Sequence, residues 1–175
     1  FWIMKDDSLP PVLKFEDPVL SSTFGATLAT KRTSAEYGVK KGELTFEPYA
    51  NPFRLYPLKS DYQHFKSMFE THGVSCYILN TGAFETRDID KATTLGAIEK
   101  IADDTAVFEP FLGLPGIKRM KVKGFENLDP EPSKVKERLE KRRTFIENLD
   151  DVDALPKETI EALNKLIETI KGASK

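Results

Sequence analysis

The stretch CYILNTGAFETRDIDKATT, residues 76–94, holds side chains that could together receive an anion. It opens as an apolar run of strand type, Cys76 to Leu79, breaks at Asn80-Thr81-Gly82, and restarts as a charged helical segment. In open α/β sheets, ligands bind beyond the carboxyl ends of strands, where backbone amides of the turn and the next helix receive negative charge. Asn80, Thr81 and Gly82 stand at that place. Gly82 lets the backbone approach a ligand closely. Arg87 offers a fork of donors to phosphate oxygens, and Thr93 could hydrogen-bond a base or a ribose. The same Asn-Thr-Gly also makes a plain turn, and local chemistry leaves both readings open.

Other clusters carry less. The chain has no GxxxxGK[ST] phosphate loop, no GxGxxG after a strand, no HExxH and no CxxC, so no catalytic and no metal-ligating residue is assigned. His64 and His72 are offset around one helix and read as surface residues. Cys76, the single cysteine, reads as a buried structural thiol inside its strand. The basic groups RRTF at 142–145 and KRMKVK at 118–123 read as solvated faces.

The elements that must position these residues follow from the patterning. FWIM at the start reads as a buried strand, and KDDSLPPV as a rigid loop held by Pro10-Pro11 near the same end of the sheet as Asn80. Asp17-Pro18 opens a helix expected to run to about Lys31 with Leu20, Phe24 and Leu28 on one stripe. RTSAEYGVKKG reads as loop and ELTF as a short strand ended by Pro48 and Pro52. A helix from Lys59 or Ser60 through His72, closed by Gly73, leads into a buried strand over 74–80. That strand should carry Tyr77 and Leu79 on one face, and Cys76 and Ile78 on the other. Asp88 or Asp90 caps the next helix, and AVFEPF and IKRMKVKGF are two further strands. From Pro130 the pattern becomes helical. One stripe is Val135, Leu139, Ile146 and Leu149, a second is Ile160, Leu163, Ile167 and Ile170, and 172–175 form a disordered tip.

Composition sets the class. With 175 residues, 26 basic against 28 acidic side chains and a formal charge of −2, the chain suits one globular domain. It carries no broad positive field for nucleic acid. No apolar run approaches the roughly 20 residues of a membrane helix, and no secretory leader pattern is present, so a cytoplasmic protein is expected. An apolar strand at Phe1 with no initiator Met implies a chain that starts inside a larger protein, whose remainder would be its partner.

Several segments resemble one family, in the same order along the chain. GVSCYILNTG followed by RDIDKATTLGAIEKI is similar to the stretch of ATP-dependent phosphoenolpyruvate carboxykinases in which a strand ends in Val-Asn-Thr-Gly and a helix follows an Arg. FWIMKDDSLPPVLKF resembles the family's strand, acidic loop and Leu-Pro-Pro-Val segment. TFGATLATKRTSAE resembles its Ser-Gly-x-Thr-Ala-Lys helix, and ANPFRLYPLKSDYQHF its Phe-x-x-x-His-Pro-x-x-Tyr segment. The likeness covers roughly residues 1–150 and corresponds to the C-terminal third of such an enzyme. The chain departs from the family in the link AFET, which is shorter and free of glycine, and in Asp88, which follows the Arg where an apolar residue is usual.

The resemblance implies an α/β fold with a mixed sheet flanked by helices, like the carboxykinase C-terminal domain. Residues 1–129 would form the nucleotide-site domain and 130–175 a C-terminal helical extension. It implies a nucleotide-binding wall in which Arg87 meets the phosphates and Thr93 lies beside the adenine, with Lys91 matching in spacing. ATP, or another nucleoside triphosphate, would be the cofactor. Its divalent metal would be bound mainly upstream of this chain, and the isolated chain would be inactive. The alternative is a non-catalytic nucleotide-binding, interaction or structural domain.

Overall fold

A computed structural model of the chain describes residues 1–31 and 44–173. Apolar runs punctuated by Pro and Gly build a five-stranded sheet, with helices on both faces. Its strands are β1 (Trp2–Met4), β2 (Val12–Phe15), β5 (Cys76–Asn80), β8 (Phe108–Pro110) and β9 (Ile117–Met120), in the order β1-β5-β2-β9-β8. β1 runs parallel to β5 and the other pairings are antiparallel. The remaining strands are β3 (Ala29–Lys31) with β4 (Leu44–Phe46), and β6 (Ala83–Phe84) with β7 (Arg87–Asp88), each an antiparallel pair. The helices are α1 (Pro18–Ala26), α2 (Leu58–Thr71), α3 (Lys91–Ala102), α4 (Pro132–Glu147) and α5 (Lys157–Ala173). No helix among the described residues is long and apolar enough to cross a membrane.

β5 sits inside the sheet, as its unbroken apolar character predicts. Cys76 and Ile78 face a core built with Leu20 and Phe24 of α1, Leu139 of α4 and Leu163 of α5. Leu79, with Tyr77, faces the opposite core, built with Phe84, Ile89 and Ala97. The thiol of Cys76 is buried, and that burial pushes its pKa up to about 11. His64 and His72 are exposed, and Gly73 closes α2 in a left-handed conformation. The terminal helices thus share one apolar core with the sheet. α5 presents Leu163, Leu166, Ile167 and Ile170, each at most 3% exposed, and each contributes on the order of 1.5–3 kcal/mol before ordering entropy.

Several local expectations give way to tertiary partners. Among the described residues FWIM is an edge strand: β1 pairs on one side only, and Phe1 and Ile3 are exposed. The helix opened by Asp17 and Pro18 stops at Ala26 rather than near Lys31. Both Nα and Oγ1 of Thr27 turn back to the Thr23 carbonyl, and Ala29–Lys31 is taken by the β4 ladder. Val12, read as the end of a loop, instead begins Val12–Phe15, a central strand of the sheet. The segment after Gly82 is a two-residue hairpin before it is a helix. α5 continues through Ala173, so Gly172 and Ala173 of the expected tip are helical, and 174–175 lie outside the described residues. The expected loop at RTSAEYGVKKG lies outside the described residues.

Arg142 is the largest correction. The sequence reads it as solvated, yet it is 1% exposed and occupies the core stripe of α4 with Val135, Leu139 and Ile146. Its guanidinium donates to the Thr27 carbonyl and pairs with the fully buried Asp6 at 3.2 Å. It also lies over the rings of Phe24 and Phe46. Burial pulls its pKa down while Asp6 pushes it back up. A buried charge survives only with such partners. Gly25 is a second tertiary requirement, because a Cβ there would come within 2.5 Å of the Tyr49 ring and 2.9 Å of Trp2.

Candidate functional site

Asn80, Thr81 and Gly82 close β5 at the end where β1 also finishes, and the 5–11 loop packs on them. The buried Asn80 amide donates to the carbonyls of Asp6, Leu9 and Ala83 at 2.8, 2.6 and 2.8 Å. Its Oδ1 accepts from the amides of Gly82 and Asp6 at 3.1 and 3.4 Å. The three backbone donors of the turn are likewise committed inside the protein. Asn80 N–H goes to Pro11, Thr81 N–H to Met4, and Gly82 N–H to the Asn80 side chain. The turn therefore acts as a joint between two strands and the proline loop. Asp6 is fully buried in that loop, where its carboxylate accepts from the Ser8 amide and hydroxyl at 3.1 and 2.7 Å.

Beyond the joint, Phe84 is buried and anchors the hairpin, placing Arg87 opposite it. The Arg87 guanidinium donates to the Gly124 carbonyl and lies 5.4 Å from the Phe125 ring centroid. Gly124 has φ +87, so a residue with a side chain would be strained there, while its Cβ would only touch the guanidinium, at 3.5 Å from Arg87 Nη1. Arg87 forms no ion pair with Asp88 or Asp90 and keeps donors to spare.

Asp90 caps α3, its carboxylate accepting from the Thr93 amide at 2.7 Å, and that backbone hydrogen bond holds its pKa below the ordinary value. The Thr93 amide is thus taken by the protein's own carboxylate, which places a negative charge at this helix terminus. That carboxylate disfavours a second negative charge at this turn, so an added anion would rely mainly on nearby cationic side chains. One face of α3 then carries Ala92, Thr93, Gly96, Ala97 and Lys100 at helical spacing, and small side chains there leave a depression. Against Met120, Val122 and Lys123 that depression becomes a cleft of about 290 Å³.

The structure therefore brings Arg87 and Thr93 to the same Met120–Phe125 segment from different elements. Thr93 lines the cleft directly, and Arg87 sits against the residue next to Lys123. Lys123 and Lys100 form no side-chain hydrogen bond or close ion pair among the described residues, though Lys100 lies near enough to Glu126 to add to the backbone hydrogen bonds that lower that carboxylate's pKa. Lys91 is exposed and does not line the cleft. Sequence reasoning did not single out Lys100 or Gly124, and it read Lys123, the last residue of KRMKVK, as part of a solvated face. The α3 spacing of small residues ending in Lys100 is a signal for the first, but only the return of the chain after β9 brings the other two here. Compared with known proteins, the chain matches no protein-family model and no curated protein.

Proposed function

We infer that this cleft is one wall of a nucleotide site, and that the chain is the C-terminal part of a phosphoenolpyruvate carboxykinase-like protein. The carrying observation is the convergence of Arg87 and Thr93 on the segment that holds Lys123, with Lys100 of α3 lining the same cleft. The apolar floor of Met120 and Val122 with the small face of α3 suits a flat ring, and Lys100, Lys123 and Arg87 suit phosphate oxygens. A cleft of about 290 Å³ holds part of a nucleoside triphosphate, which agrees with a site completed by the remainder of a larger protein. On this reading the protein works in the cytoplasm, on ATP or a related nucleotide.

On this reading the divalent metal of phosphoryl transfer is held mainly by residues upstream of this chain. Among the described residues no group of three or more His, Cys, Asp or Glu is arranged to hold an ion. The chain's own contribution is to bind and orient the nucleotide, with cationic side chains against the phosphates. Catalysis would need the ligands and phosphate loop of the intact protein, and this chain alone is expected to be inactive.

Titration of the ¹⁵N-labelled chain with ATP tests the reading. Amide shifts should move at Thr93, Gly96, Lys123 and Gly124, with affinity in the millimolar range for a single wall. A charge-assisted hydrogen bond contributes about 1.5–3 kcal/mol, so Arg87→Ala should weaken binding by roughly tenfold to a hundredfold. Shifts confined to other surfaces, or unchanged affinity without Arg87, would refute it.

A further inference from the structure

The hairpin that carries Arg87 turns on a residue in an unfavourable backbone conformation. Glu85, the first loop residue between β6 and β7, has φ +51, a left-handed geometry disfavoured by a Cβ. Glycine is the usual solution at such a place. Here a glutamate holds it, with three contacts to elements outside the hairpin. Its amide donates to the Asp7 carbonyl at 2.8 Å, its Oε1 accepts from the Glu131 amide at 3.2 Å, and its Oε2 pairs with Lys134 at 3.2 Å. Lys134 in turn reaches the Asp7 carbonyl at 3.3 Å, and Arg138 one turn later pairs with Asp7 at 3.1 Å. Both members of the Glu85–Lys134 pair are only about one-fifth exposed, so the pair is less screened than a surface ion pair.

We propose that Glu85 and Lys134 are positioning residues: they latch the β6–β7 hairpin to the first turn of α4 and thereby hold Arg87 against Gly124. The role in ligand binding rests on the nucleotide reading above, whereas the latch itself does not. Phe84 fixes the hairpin from the core side, and Glu85 fixes its tip from the α4 side. Between those two points only the two-residue turn separates Phe84 from Arg87. Freed at the tip, the hairpin would pivot about Phe84 and carry the guanidinium away from the Gly124 carbonyl. The ordering cost of Arg87 would then fall on the ligand, which lowers affinity without removing any ligand contact.

Hydrogen exchange of the Glu85 and Ile89 amides, measured beside ATP titration on the same variants, tests this. Lys134→Met removes the partly buried pairs with Glu85 and Asp7 and should accelerate exchange at both amides about fivefold, and weaken ATP by a similar factor. Lys134→Arg should restore both. Glu85→Gly separates latch from turn shape, because glycine relieves the left-handed residue yet deletes the side-chain contacts. Faster exchange in Glu85→Gly supports the latch. Exchange that is unchanged or slower in Glu85→Gly, or unchanged in Lys134→Met, overturns it. Accelerated exchange with ATP affinity unaltered overturns the positioning role. Should the unaltered chain show no ATP shifts, the nucleotide reading falls, and the exchange rates still decide the latch.

Discussion

Replacing Asn80 by Ala removes five hydrogen bonds from a side chain that is 1% exposed. The amide nitrogen serves three carbonyls, and Oδ1 serves the Asp6 and Gly82 amides. Each bond contributes about 1 kcal/mol net, and a buried group left unmet costs about 1–3 kcal/mol. Water entering the vacated space recovers part of that, so a loss of roughly 3–5 kcal/mol is expected, a large share of the 5–15 kcal/mol that holds a typical domain. At about 2–4 °C per kcal/mol for a chain of this length, the thermal midpoint should fall by roughly 6–20 °C. Asn80→Asp is nearly isosteric but turns a carboxylate oxygen toward three carbonyl oxygens, and it should lose more than the Ala variant at pH 7. Protonation returns one donor, so its deficit should narrow as the pH falls toward about 4. Urea unfolding at pH 7 and pH 4.5, followed by far-UV circular dichroism, reads both effects. A loss below about 1 kcal/mol in Asn80→Ala, or an Asp variant equal to Ala at both pH values, would refute the view that this side chain is the joint between β1, β5 and the proline loop.

Arg142→Met should cost about 3 kcal/mol, the low end for breaking a buried pair, because Arg138 still stands 3.6 Å from Asp6. Adding Asp6→Asn to it should cost less than the two single losses summed, and strict additivity in denaturant unfolding would disprove the coupling. Glu158 at the start of α5 is pushed up by burial, but the Tyr62 hydroxyl and Lys66 outweigh this and hold it below its ordinary value. Its stabilisation is present above the unfolded value of about 4.3 and fades as the pH falls through the folded one. The midpoint gap between wild type and Glu158→Gln should therefore close on acidification, and a gap constant from pH 7 to pH 3 would contradict this. Cys76, with a pKa raised to about 11 by burial, should resist a disulfide reagent at pH 8 until urea unfolds the chain. Truncation after Asp153 deletes Leu163, Leu166, Ile167 and Ile170 from the core, a gross loss on the order of 6–12 kcal/mol. Circular dichroism of the truncated chain should show no cooperative native transition, and an unchanged midpoint would show that α5 is not part of the fold.

What the sequence determined by itself was whatever depends on nearest neighbours along the chain. The apolar run from Cys76 to Leu79 has one stable environment, between two covered faces, so the interior place of β5 and the partition of its side chains were legible. Asp17 with Pro18, Asp90, Gly73 and the stripe of α5 were legible for the same local reason, since caps and helical spacing act within a few residues. Tertiary structure decided the rest. Val12–Phe15 follows two prolines and is short, and only its ladders to β5 and β9 make it a central strand. The Ala29–Lys31 segment left the helix because a partner strand competed for it. Arg142 carries a charge on a core stripe, and no local rule supplies Asp6, 136 residues away, to make that tolerable. At the candidate site the sequence marked Arg87 and Thr93, but their common neighbourhood is made by the chain returning after β9 with Lys123 and Gly124. The division is physical: propensity and periodicity are properties of a short segment, whereas a buried charge, an edge and a cleft exist only once distant segments have excluded water between them.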